Sequence, residues 1–180
     1  MKIDSSFLFE EVRICLSPNF SDREANDISL LVLHNISLPP GKFGGGYVEK
    51  FFLNELDSQE HPYFKEIEDL RVSSHLYIKR DGSITQFVPL DKKAWHAGIS
   101  SFKGQENCNE FSIGVELEGT DEVPYERAQY TSLIEITMFL MKQYPHLNKD
   151  NIVGHSDIAP ERKTDPGSSF DWDYYLSKLD

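Results

Sequence analysis

Six histidines mark the chain, at positions 34, 61, 75, 96, 146 and 155, and two of them stand where the sequence changes character. His34 lies near the end of the apolar run Ser29–Ile36 (SLLVLHNI), just before the Gly- and Pro-rich stretch SLPPGKFGGG. Strand ends that open into loops are frequent functional positions. His155 begins HSDIAPERKTDPG, which carries Asp157, Arg162, Lys163 and Asp165 within eleven residues. Two prolines and a glycine make this stretch a loop rather than a regular helix. Two imidazoles and a carboxylate suit zinc, whose catalytic sites take three protein ligands and leave a fourth position for water. No HExxH or CxxC spacing is present. On spacing alone, hydrogen-bonded core histidines and an exposed charged loop fit as well.

Lys163 and Asp165 are two residues apart, so in an extended segment they point the same way. If Asp165 held a metal, Lys163 would lie beside it, placed to stabilise an oxyanion. Glu116 sits within Phe111–Glu118 (FSIGVELE), where Phe111, Ile113, Val115 and Leu117 alternate with Ser112, Gly114, Glu116 and Glu118. The small neighbours of Glu116 leave room for an approaching group. A carboxylate beside an activated water can take its proton. A solvated face on an edge strand is the other reading. Trp95-His96-Ala97-Gly98 offers an aromatic and an imidazole in a small-residue loop, either a sugar- or peptide-binding rim or a packed turn. Arg71, Lys103 and Arg162 are candidate carboxylate binders. Cys108 has no assignable base and reads as a buried thiol.

These residues need a scaffold, and hydrophobic periodicity supplies its outline. Ser29–Ile36 reads as a buried strand and Tyr47–Leu56 as a short helix, while 57–70 is ambiguous. His75–Arg80 and Ser83–Leu90 flank Asp81-Gly82, a two-residue hairpin signal in which both turn residues can take positive φ. Phe111–Glu118 is a strand. Glu126–Tyr144 is the longest helix, with Tyr130, Leu133, Ile134, Thr137, Leu140, Met141 and Tyr144 as its buried stripe and Pro145 as its stop. A last short helix is expected near Trp172–Leu179. Loose alternation of strands and helices gives an α/β or α+β fold around one mixed sheet. The 180 residues read as one domain, with a core from about 17 to 180 and residues 1–16 as a surface segment.

Composition narrows the partners. Thirty acidic against 18 basic residues give a formal charge of −12, which disfavours nucleic acid and anionic membrane surfaces. Two cysteines, Cys15 and Cys108, provide no disulfide framework. Asp4, Glu10 and Glu11 fall where an export signal would be apolar, so a cytoplasmic location is expected.

The ordered series LLVLHNISLPPGKFGGG, HLYIKRDGSITQFVP, AWHAG, CNEFSIGVELEGT and GHSDIAPERKTDPG resembles the zinc-dependent N-acetylmuramoyl-L-alanine amidases. Within them it is most similar to the cytosolic members that act on 1,6-anhydro-muropeptides. The resemblance runs from about Ser17 to the last helix. It implies the mixed sheet flanked by helices that these enzymes share with phage lysozyme-like amidases and peptidoglycan recognition proteins. It implies one zinc on His34, His155 and Asp165, with Glu116 as acid/base and Lys163 as transition-state stabiliser. Asn35, Arg71, Trp95 and His96 are the expected substrate contacts, Arg71 on the carboxylates of the stem peptide and the Trp95-His96 loop along the peptide or sugar. Some phage relatives have tyrosine where this chain has Ser74, which places more weight on Glu116. The implied reaction cleaves the amide between 1,6-anhydro-N-acetylmuramic acid and L-alanine in peptidoglycan recycling, with an indirect effect on β-lactamase induction in some bacteria. The expected form is a monomer acting on a small-molecule substrate. An amidase of intact wall and a non-catalytic fragment-binding module are the rival readings.

Overall fold

A computed structural model describes residues 1–24 and 27–179. Its centre is a six-stranded mixed sheet. In chain order these strands are β1 (Arg13–Ile14), β3 (Leu30–Ile36), β4 (Leu76–Ile78), β5 (Ile84–Gln86), β9 (Ser112–Glu118) and β10 (Ile152–Gly154). They are arranged β1-β5-β4-β9-β3-β10. Only the β4–β5 hairpin is antiparallel; every other neighbouring pair runs parallel. Strands β2 (Phe20–Asp22) and β6 (Lys92–Ala94) form a small antiparallel pair, as do β7 (Ser101–Phe102) and β8 (Gln105–Glu106).

Strands β3 and β9 are interior strands of the sheet, each paired on both sides, which explains their composition. A parallel strand covered on both faces needs a near-continuous apolar run, and LLVLHNI is one. All seven residues of β9 are buried. The reading of Glu116 as part of a solvated edge face is therefore overturned. Leu31, Leu33, Ile113, Val115 and Leu117 face the core beneath the long helix α3 (Arg127–Gln143). On the opposite face, helices α1 (Tyr47–Phe52) and α2 (Pro62–Ile67) cover the sheet with Val48, Phe51, Phe52, Phe64 and Ile67. The ambiguous stretch 57–70 thus contains a helix. Pro62 begins it at a position where its missing N–H costs nothing, and the imidazole of His61 accepts from the Tyr63 amide.

Helix α3 follows its expected span within a residue at each end. Tyr130, Leu133, Thr137 and Leu140 are buried as the periodicity predicts, and Ile136 and Gln129 join them. Ile134, Met141 and Tyr144 are only partly covered. Gln129 is a polar residue inside the stripe because its Nε2 donates to the carbonyls of Ile78 and Glu118, tying α3 to β4 and β9. The hairpin turn also differs from expectation. Gly82 alone takes positive φ, at 84°, and its amide donates to Lys79 O, while the Lys79 amide donates to Ser83 O. This is a three-residue loop, a β-turn closed by a left-handed glycine.

The N-terminal segment does more than cover surface. Phe9 is buried against Phe139 of α3, and β1 adds a parallel edge beside β5. Short helices α4 (His155–Ile158) and α5 (Trp172–Leu176) complete the domain. Among the described residues no helix is long and apolar enough to cross a membrane.

Candidate active site

The parallel register of the sheet builds the first half of the site. His34 on β3 pairs with Glu116 on β9, and Glu116 pairs in turn with Tyr77 on β4. Residues in register on neighbouring strands project from the same face. One row across three strands therefore carries an imidazole, a carboxylate and a phenol.

The second half comes from the end of β10. The chain leaves the sheet at Gly154 and turns at once into α4, whose first residue is His155. Asp157 does not join the site; its Oδ2 accepts from the Gly154 amide and caps this turn. The following loop folds back so that Asp165 O accepts from the Ser156 amide. That return needs a glycine at 154, because a Cβ there would stand 2.7 Å from Pro166 Cδ.

His34 Nδ1, His155 Nδ1 and Asp165 Oδ2 converge. The two nitrogens are 2.9 Å apart, and each is 3.1 Å from the carboxylate oxygen. The outer nitrogens are already engaged. His155 Nε2 lies 3.1 Å from the Ala97 carbonyl and His34 Nε2 lies 2.9 Å from His96 Nδ1. Three lone-pair atoms so close repel one another unless a proton or a metal ion lies between them. A tetrahedral zinc with bonds of about 2.0–2.1 Å sets its ligands roughly 3.3 Å apart, close to this triangle. The donor set of two imidazoles and a carboxylate therefore fits zinc. Burial holds His34 neutral, its pKa down at about 4 despite the Asp165 carboxylate, as a nitrogen ligand must be. Asp165 is ionised: burial opposes this, but its contacts with His155 and His34 outweigh burial and hold its pKa below the usual range.

Glu116 has the opposite character. It is 9% exposed, and its Oε2 has no hydrogen-bond partner among the described residues. Burial raises its pKa well above the ordinary carboxylate value; Asp165 adds to this and Lys163 opposes it. Such a carboxyl is built to exchange a proton rather than hold a static charge. Lys163 lines the same cavity and acts electrostatically on both Glu116 and His34.

The cavity over this site has a volume of about 270 Å³ and an apolar wall of Phe51, Phe52, Tyr63, Ile67, Leu70 and Val72. A second hollow of about 550 Å³, bordered by Ser37, Thr120 and Asp121, shares Asn35, Lys163 and Asp165 with it. The two hollows adjoin along Asn35, Lys163 and Asp165, and both histidines of the cluster line the smaller one. Asn35 stands at the junction, donating to Asp121 Oδ1. Trp95 lines the cavity and donates to Ser21 Oγ. His96 borders the cavity but is largely buried behind His34. Arg71 is exposed beyond the lining residues, its guanidinium donating to the carbonyls of Glu68 and Leu70. The apolar wall from α2 was not legible, since 57–70 shows no clean period. The contact of Ala97 O with His155 is not legible either, because a main-chain acceptor leaves no mark in side-chain identity.

This cleft and sheet are those of a known class of hydrolase. A family model described as N-acetylmuramoyl-L-alanine amidase matches residues 24–168, and the chain belongs to that family. It is 56% identical over 173 residues to the 1,6-anhydro-N-acetylmuramyl-L-alanine amidase AmpD of Haemophilus influenzae, covering 96% of this chain and 94% of that protein. The fold matches the crystal structure of a selenomethionine AmpD derivative with a TM-score of 0.96, at 50% identity and with 100% of each chain covered. It also matches the amidase AmiD from E. coli, solved with anhydro-N-acetylmuramic acid-L-Ala-D-γ-Glu-L-Lys. There the TM-score is 0.61 at 31% identity, over 84% of this chain and 57% of the other.

Proposed function

We propose that this protein is a zinc-dependent amidase that cleaves the bond between 1,6-anhydro-N-acetylmuramic acid and the L-alanine of the stem peptide. The observation that carries this reading is the convergence of His34, His155 and Asp165 beside a buried, protonatable Glu116, in a chain 56% identical to an amidase of that name.

Zinc held by the three side chains would supply an activated water and polarise the scissile carbonyl. The chain's own groups do the rest. Glu116 takes the proton of the attacking water and returns it to the departing L-alanine nitrogen. Its raised affinity for protons suits both halves of that exchange. The Lys163 ammonium faces the oxyanion of the tetrahedral intermediate. The cleft's two arms match a substrate with a sugar on one side of the scissile amide and a peptide on the other. Asn35, Trp95 and His96 border the reacting centre, and Arg71, between the wall residues Leu70 and Val72, meets the carboxylates of the stem peptide. The protein works as a monomer on soluble fragments in the cytoplasm, in peptidoglycan recycling.

The test is incubation of the purified protein with an anhydro-muropeptide and with its reducing-end counterpart, followed by mass spectrometry. Cleavage between sugar and L-alanine, strong for the anhydro form and dependent on zinc, is the expected result. Equal cleavage of both forms would keep the chemistry and remove the anhydro selectivity. No cleavage by a zinc-loaded protein would sink the catalytic reading in favour of a fragment-binding module.

A further inference from the structure

We infer that the loop His96–Gly98 is the bracket that orients both histidine ligands, with His96 as a positioning residue that holds His34 with Nδ1 turned to the metal. This rests on the metal site proposed above.

The argument follows protons. For His34 Nδ1 to ligate, it must carry no proton, so the proton sits on Nε2. His34 Nε2 is 2.9 Å from His96 Nδ1, which must then accept. That places the His96 proton on Nε2, 3.1 Å from Ser112 Oγ, a hydroxyl able to accept it. Each link has a donor facing an acceptor, and the chain ends on a side chain that can adapt. The next residue does the same for the other imidazole: the Ala97 carbonyl lies 3.1 Å from His155 Nε2 and leaves its Nδ1 for the metal.

The bracket is itself fixed. The amides of His96 and Ala97 both donate to Asn109 Oδ1, at 3.1 and 2.8 Å. Arg162 Nη2 reaches across Gly98 to the carbonyls of Ala97 and Ile99, at 2.7 and 2.9 Å. The His96 ring occupies a notch in β9 that exists only because residue 114 is glycine. A Cβ there would stand 2.5 Å from His96 Cγ. Groups that orient metal ligands are worth about 10–100-fold in metal affinity.

The experiment compares zinc affinity, by competition with a chromophoric chelator, among the natural protein, His96→Phe and His96→Asn. Phenylalanine fills the notch without an acceptor; asparagine places Oδ1 where Nδ1 stood. His96→Phe should bind zinc roughly 10–100-fold more weakly, with His96→Asn recovering most of the loss and all three chelated proteins melting at similar temperatures. Should the variants fail to fold, nitrogen NMR of the natural zinc-loaded protein decides: the His34 proton must be on Nε2 and coupled to His96 Nδ1. Unchanged affinity in His96→Phe, an asparagine variant no better than phenylalanine, or a proton elsewhere on His34 overturns the inference. A natural protein that binds no zinc overturns the metal site and this inference with it. One that binds zinc yet leaves muropeptide intact overturns only the proposed activity.

Discussion

His34 and Glu116 are register partners on adjacent parallel strands, so the first metal-ligand candidate and the proton-transfer candidate leave the sheet side by side. Eighty-two positions separate them in the chain by their numbers, 116 − 34. Their juxtaposition depends on strand pairing alone. Neither sits on a loop, and a site built on central strands holds its geometry more tightly than one built on loops. The Lys163 and Asp165 half of the site, by contrast, is carried by a loop pinned through Gly154 and Ser156.

Removing any ligand should abolish the metal site. In His34→Ala or Asp165→Ala, elemental analysis after dialysis against zinc is expected to find well under one ion per chain. Chelator treatment of the natural protein should stop hydrolysis and added zinc restore it. Full zinc occupancy in both variants would show that the cluster is not the site.

Glu116→Gln keeps the shape of the side chain and removes its basicity. It should lower kcat by about 10²–10⁴ while zinc content stays at the natural level. Steady-state rates measured alongside metal analysis separate this from a folding defect. Activity within a few-fold of the natural protein would remove Glu116 from proton transfer.

Lys163→Ala should lower kcat by about 10²–10³ with little change in KM, because the ammonium acts on charge that develops in the transition state. A raised KM at constant kcat would instead make Lys163 a ground-state binding residue.

Gly114→Ala touches no ligand, yet it drives a methyl into the His96 ring. Overpacking of this kind costs about 1–3 kcal/mol. Thermal unfolding should show a fall of about 2–4 °C per kcal/mol for a chain of this size. An unchanged Tm would mean that the His96 loop yields freely.

Acid should destabilise the chelated protein through its buried histidines. Burial lowers the pKa values of His34, His75 and His96 below the ordinary 6.5, to about 4 for His34. His75 is held neutral first by burial and then by the Arg23 guanidinium beside its Nε2, while the Lys92 carbonyl on the same nitrogen works the other way; its Nδ1 accepts from the Gly114 amide. Below about pH 6.5 the unfolded chain binds protons that the three rings refuse in the fold, and although the raised pKa of Glu116 works the other way, three rings against one carboxyl make stability fall as pH falls from there towards 4. Urea midpoints between pH 8 and 5 should decline below 6.5. A flat profile would mean that these rings take up protons without unfolding.

Some of this molecule was written locally. The apolar run ending at His34, the alternation around Glu116 and the long amphipathic α3 depend on short-range periodicity, which a chain displays without folding. The motif series carried the family and, through it, the expected ligand set. Tertiary structure decided what lies far apart in sequence. It put β9 at the centre, so that Glu116 is buried and its affinity for protons is raised, where the local pattern equally allowed a wet edge strand. It sorted equivalent-looking groups: Asp157 caps a turn while Asp165 faces the histidines, and His146 pairs with Asp27 at the surface while His155 is buried. It left Trp95 on the cavity wall and packed the His96 ring into the notch at Gly114, which exists only once β9 and the loop are together. Side-chain identity records which chemistry is available. Strand order and register decide which groups share one small, water-poor volume, and there alone do their charges and protons act on one another.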